Sequence, residues 1–190
     1  METEHSKKYF LLAGFVVAMV LTRGPWIDSW VHLRDATLAV FFIAGWFFRG
    51  HLVPSLLVLT AGLVDYGAVQ SGVSAWCFSP AYPFLIPTYL SLWVAGTLTP
   101  SPNISTLREG VDVSLRLLAA TLAAFILSTG SFHWLSGRYE GVAVMEQIAV
   151  SLQYLPGYVG GTFFYVGIFM MGMKAVFMSR SLILSKASQS

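Results

Sequence analysis

The chain has 190 residues, of which 56% are hydrophobic, 15% aromatic and only 11% charged, with a formal net charge of +2. A soluble domain carries roughly 25% charged residues, so this composition excludes an ordinary water-soluble fold, and so small a net charge does not suggest a nucleic-acid partner. Six tryptophans suit a protein anchored at membrane–water interfaces.

The polar start, Met1 to Lys8, leads straight into an apolar run without a small-residue cleavage site. It reads as a retained first helix rather than a cleaved signal. A membrane helix needs about 20 mostly apolar residues, and six runs approach this: 9–21, 36–48, 53–70, 82–98, 113–129 and 158–178. The first two are short. Gly14 and Ala18 in the first form a small-xxx-small pattern that lets helices approach closely. It serves either packing within the chain or docking of a partner subunit. Between the last two runs lies an amphipathic stretch, 142–155, broken by Pro156 and Gly157. It lies along the membrane surface or starts the sixth helix early.

Orientation follows from the Lys and Arg on either side. Six crossings place Lys7, Lys8, Arg49, Arg108, Arg116, Lys174, Arg180 and Lys186 on one side, and only Arg23, Arg34 and Arg138 on the other. Both termini are therefore expected in the cytoplasm. The expected fold is an all-α integral membrane protein, one transmembrane domain over residues 1–190, built as a bundle of about six helices. The expected location is the bacterial inner membrane, with the lipid bilayer as immediate partner.

Three loops then face outward, 22–35, 71–81 and 130–141. The first holds Trp26, Asp28, Trp30, His32 and Asp35; Asp35 is placed to cap the second helix. The second holds the lone cysteine, Cys77, between Trp76 and Phe78, with Pro80 and Pro83 excluding a regular helix. No Lys or Arg lies in this loop to lower the thiol pKa, whereas a metal centre deprotonates a coordinating thiol outright. Asp65, near the outer end of the third run, is an ionisable residue within a span and so a functional candidate by default. The third loop holds His133 between Phe132 and Trp134, an arrangement equally suited to the headgroup belt. No GxxxxGK[ST], HExxH or CxxC occurs, so this chain has no P-loop ATP site.

Three stretches, Asp35-Ala-Thr-Leu-Ala-Val-Phe-Phe-Ile-Ala-Gly45, Asp65-Tyr66 and Gly72-Val-Ser-Ala-Trp-Cys77-Phe-Ser-Pro-Ala-Tyr82, together resemble the BtuM-type cobalamin transporters. These are small substrate-binding (S) subunits of the energy-coupling-factor class. Ser131-Phe-His-Trp-Leu-Ser-Gly137 adds to the resemblance, which runs from about His32 to Gly137 and is most specific at the cysteine loop. It implies six helices with an outward pocket for vitamin B12 or a related corrinoid. Cys77 would ligate the corrinoid cobalt and could remove cyanide from cyanocobalamin. Asp65, Tyr82 and His32 would supply polar contacts, and a separate energy-coupling-factor ATPase module would be a possible partner.

The residues themselves leave other functions open. One is a membrane enzyme with Cys77 as nucleophile and His32 or His133 as base. Another is a structural subunit in which Cys77 only packs. A third is an S subunit for a different vitamin, such as a flavin or thiamin, which would not need the sulfur.

Overall fold

The structure is a computed structural model that describes residues 2–24, 34–74, 78–100, 104 and 106–187. These residues are all-helical: α1 (Glu2–Arg23), α2 (Thr37–Phe47), α3 (Leu52–Gln70), α4 (Leu85–Thr97), α5 (Leu107–Leu135), α6 (Val144–Leu152) and α7 (Leu155–Ala187), with a 3₁₀ turn over Tyr82–Phe84 before α4. Six of them have eleven residues or more, and α6 has nine. Three stretches are long and apolar enough to cross a membrane: α3, α5 and Val144–Val176 of α6 and α7.

The other three expected spans fall short for identifiable reasons. The first turns of α1 carry Glu2, Glu4, Lys7 and Lys8. At about 1.5 Å per residue, the 11 residues of α2 and the 13 of α4 are well below a hydrocarbon core of about 30 Å.

Shortness goes with centrality in α2. Every residue from Thr37 to Trp46 is buried, as expected of a helix that is apolar all round. Phe41 stacks on Tyr89 of α4 (ring centroids 5.0 Å apart), and Phe42 packs edge-on to Trp46 (5.9 Å). Helices α2 and α4 run side by side in the same direction. At their shared C-terminal end Trp46 Nε1 donates to the Pro100 carbonyl (2.8 Å), and the Arg49 guanidinium donates to the Thr97 carbonyl. Arg116 of α5 donates to the next carbonyl, Leu98 (3.1 Å). Two guanidinium groups thus meet the negative end of the α4 dipole.

Helix α5 starts six residues before the apolar run because Thr106 and Glu109 form a capping box. Thr106 Oγ1 accepts from the Glu109 amide (3.2 Å), and the Glu109 carboxylate accepts from the Thr106 amide (3.1 Å). Thr106→Ala should lower stability by about 1 kcal/mol. In a chain of this size that is a fall of roughly 2–4 °C in the detergent unfolding midpoint.

The amphipathic stretch does form a helix, α6, which leaves Glu146 exposed but turns two other polar residues inward. Gln147 and Ser151 are buried and hydrogen-bond each other (3.2 Å), while Met145 is 75% exposed. On α1, Phe15 and Met19 enter the core, whereas a Cβ on Gly14 would meet nothing within 4 Å. Of the small-residue pattern, Ala18 packs against the core while Gly14 meets open space among the described residues.

Candidate functional site

At the end of the bundle away from Arg49 and Arg116, four elements meet on one guanidinium. Arg23, the last residue of α1, reaches α3 and donates twice to Asp65: Nε to Oδ1 and Nη2 to Oδ2, both at 2.7 Å. Its Nη1 donates to Asp35 Oδ2, also at 2.7 Å. Tyr82, in the 3₁₀ turn before α4, donates its phenol to Asp65 Oδ2 (2.9 Å). The Arg23 guanidinium also sits 5.6 Å from the centre of the Tyr89 ring, within cation–π range.

Local sequence prepares each partner. The N-cap of α2 is Ala36, and Asp35 stands one residue before it, where its Oδ1 accepts from the Thr37 amide (2.8 Å) and the Thr37 hydroxyl (2.5 Å). Thr22 accepts from the Ala36 amide (3.0 Å) and so ties the end of α1 to the start of α2. The Tyr82 phenol lies along Gly62 of α3, 3.9 Å from where a Cβ would stand. Helix α3 stops in a Schellman motif, with Val73 N–H on Ala68 O (3.1 Å), Gly72 N–H on Val69 O (3.0 Å) and Gly72 at φ +99°. This left-handed turn starts the cysteine loop. The loop returns through a turn in which the Tyr82 amide donates to the Ser79 carbonyl (2.8 Å), and the Phe78 ring packs 4.5 Å from that of Tyr82.

These groups edge a cavity of about 210 Å³ whose polar lining is Arg23, Asp65, Ser79, Tyr82, Ser128 and Ser131. Ser79 Oγ is buried and has no hydrogen-bond partner among the described residues.

Of the residues singled out in the sequence, Asp65 and Tyr82 come together here. Cys77 and His32 lie outside the described residues, as do Trp26, Asp28, Trp30 and Trp76. His133 is not at this cavity, although its neighbour Phe132 is. It lines a separate apolar cavity of about 400 Å³ between α5, α6 and the start of α7, with Nδ1 buried and unpartnered among the described residues. Arg23 was the missed residue. In sequence it is one basic residue after an apolar run, and its partner Asp65 lies 42 positions away.

Fold and site together define an all-helical protein with three membrane-length stretches and a paired-charge cluster over a small polar cavity. No protein-family model matches the chain, and no curated protein matches it in sequence.

Proposed function

We propose that the chain binds cobalamin or a related corrinoid at the outer face of a bacterial inner membrane and serves in its uptake, as a small S-subunit-like protein with both termini cytoplasmic. The observation that carries this reading is the cavity itself. It is edged by Ser79, two residues after Cys77, and by Tyr82 and Asp65, two of the three polar contacts that the cobalamin-transporter resemblance implies. The cluster lies at the end where the charge count places the outward loops, and Arg49 and Arg116 lie at the opposite, cytoplasmic end.

In this reading the Cys77 thiolate takes an axial position on the corrinoid cobalt, a soft-ligand site that suits sulfur. With cyanocobalamin, sulfur replaces cyanide, which leaves as the anion with the electron pair of its bond to cobalt. Tyr82 and His32 supply polar contacts to the corrin edge or lower nucleotide. Asp65 acts through Tyr82 and Arg23, whose orientation it holds. The open face around Gly14 suits docking to an energy-coupling-factor ATPase module.

The cavity is smaller than the roughly 300–1,000 Å³ of ordinary small-molecule sites. It therefore takes a peripheral arm of the corrinoid, with the ring outside its mouth.

The test is the visible absorption spectrum of the chain purified in detergent after growth with cyanocobalamin, beside that of Cys77→Ala. The expected result is a co-purifying corrinoid whose band is shifted from free cyanocobalamin in the original chain and unshifted in the variant. A colourless protein that also fails to bind added corrinoids would sink the reading.

A further inference from the structure

Helix α6 stands off from α5, and the space between them is the cavity of about 400 Å³ that reaches the start of α7. Its wall is almost wholly apolar, built by Leu122, Phe125 and Ile126 of α5, Ile148 and Leu152 of α6 and Leu155 of α7. The polar residues along it are engaged elsewhere. Gln147 and Ser151 bond each other (3.2 Å), the Thr129 hydroxyl donates to the Phe125 carbonyl (2.6 Å), and His133 Nδ1 is buried. An occupant here gains by shedding apolar surface. Water does not, since apolar cavities of about 150 Å³ already stay dry and take up hydrocarbons such as benzene.

Length and place select the kind of hydrocarbon. Along α5 the cavity runs from Leu122 to Trp134, about 18 Å at about 1.5 Å per residue. One leaflet of a hydrocarbon core of about 30 Å is about 15 Å deep. Both walls belong to membrane-length stretches, α5 and Val144–Val176. At the Trp134 end three rings gather, with those of Trp134 and Tyr139 centred 5.6 and 5.9 Å from that of His133. Aromatic side chains of this kind collect at headgroup level.

Three charged side chains lie at the same end. Arg138 and Glu140 flank Tyr139, and Glu146 precedes Gln147 on α6. All three are exposed, and among the described residues none is in an ion pair. One guanidinium against two carboxylates leaves this rim at −1. A lipid head that carries only a phosphate meets a net negative rim, whereas one that also carries an ammonium has a partner for each sign.

We infer that the cavity holds one acyl chain of a phospholipid whose zwitterionic head, a phosphate with an ammonium, sits among Arg138, Glu140 and Glu146. The chain completes the packing of α6 against α5. The inference rests on the membrane setting of these helices and not on the corrinoid reading.

The test titrates the purified full-length chain in detergent with dioleoyl phosphatidylethanolamine and, separately, with dioleoyl phosphatidylglycerol. Bound lipid is read by native mass spectrometry and by the thermal unfolding midpoint. One phosphatidylethanolamine per chain should be retained, roughly two- to fivefold more tightly than phosphatidylglycerol, the scale of exposed ion pairs. Glu140→Gln with Glu146→Gln turns the rim to +1 and should reverse the order. Leu122→Trp, which fills the cavity, should abolish retention of both lipids.

Equal retention of the two lipids by the original chain overturns the inference at the headgroup, and retention unchanged in folded Leu122→Trp overturns it at the cavity. A lipid-free chain that elutes as a dimer, and stays one with either lipid added, means that a second copy covers the cavity instead. If Leu122→Trp does not fold, the double glutamine variant, confined to exposed positions, carries the test. None of these results depends on a bound corrinoid, so the two readings stand or fall separately.

Discussion

Asp65→Ala should lower the stability of the purified protein by about 3 kcal/mol, the lower end of what breaking a buried pair costs. The side chains of Arg23 and Asp65 are only 12% and 14% exposed, so removing the carboxylate strands a guanidinium out of bulk water. Asp35 remains on Nη1, but its side chain is 43% exposed, so solvent screens what it can return. The measurement is the thermal unfolding midpoint in detergent, where about 3 kcal/mol in a chain of this size is a fall of roughly 6–12 °C. Asp65→Asn, which keeps an acceptor for Tyr82, should fall between the two. The double change Arg23→Met with Asp65→Leu should be more stable than Asp65→Ala alone, because the one charge it leaves without its partner, Asp35, is 43% exposed and keeps the Thr37 amide. A double variant no better than the single one would mean that Asp65 stabilises by packing and by Tyr82 rather than through Arg23.

That prediction turns on a contact the sequence does not display. Asp65 stands out because a carboxylate in an apolar run is costly. Its partner hides, because Arg23 follows a run of apolar residues like any interfacial basic residue. Hydropathy ranks segments by their preference for lipid and carries no information about which ends meet.

The same limit explains which helices were legible. The apolar runs 36–48 and 53–70 fall close to α2 and α3, whose residues are nearly all apolar. The run 113–129 covers only the middle of α5. Its first turns carry Arg108, Glu109 and Asp112, which a hydropathy reading assigns to a loop, and then Arg116. They are helical because of the capping box and the pair of Arg116 Nε with Asp112 one turn earlier (2.8 Å). Thr106-Leu-Arg-Glu109 is a sequence signal for that start. At the other end Thr129 returns its hydroxyl to the Phe125 carbonyl (2.6 Å), so a polar residue continues the helix instead of ending it. Ser128 and Ser131 reach the cavity for that reason.

Gly96→Leu should prevent the bundle from forming its native core, and Gly45→Leu should do the same. A Cβ on Gly96 would fall on the Phe42 carbonyl oxygen, with Phe42 C and Trp46 N both 3.0 Å away. A Cβ on Gly45 would fall on the Trp93 carbonyl oxygen, with Trp93 C at 2.9 Å and Thr97 N at 3.1 Å. Each glycine therefore meets the backbone of the other helix at the crossing, where no rotamer change can relieve a clash. Close backbone approach through small residues is a general device of membrane helix packing, and it favours Cα–H···O contacts. Overpacking in a core that can yield costs about 1–3 kcal/mol, and here two helix backbones must separate instead. Because α2 is buried almost from end to end, moving it disturbs Phe41 on Tyr89, and Tyr89 is the ring beside Arg23. Each Leu variant should thus lose both the folded detergent-soluble peak in size-exclusion chromatography and any corrinoid bound at the far end. Gly14→Leu on α1, where a Cβ meets open space, should keep both, although leucine is the same added bulk. If Gly96→Leu migrates as the original does and unfolds within a few degrees of it, α2 and α4 do not cross through these glycines.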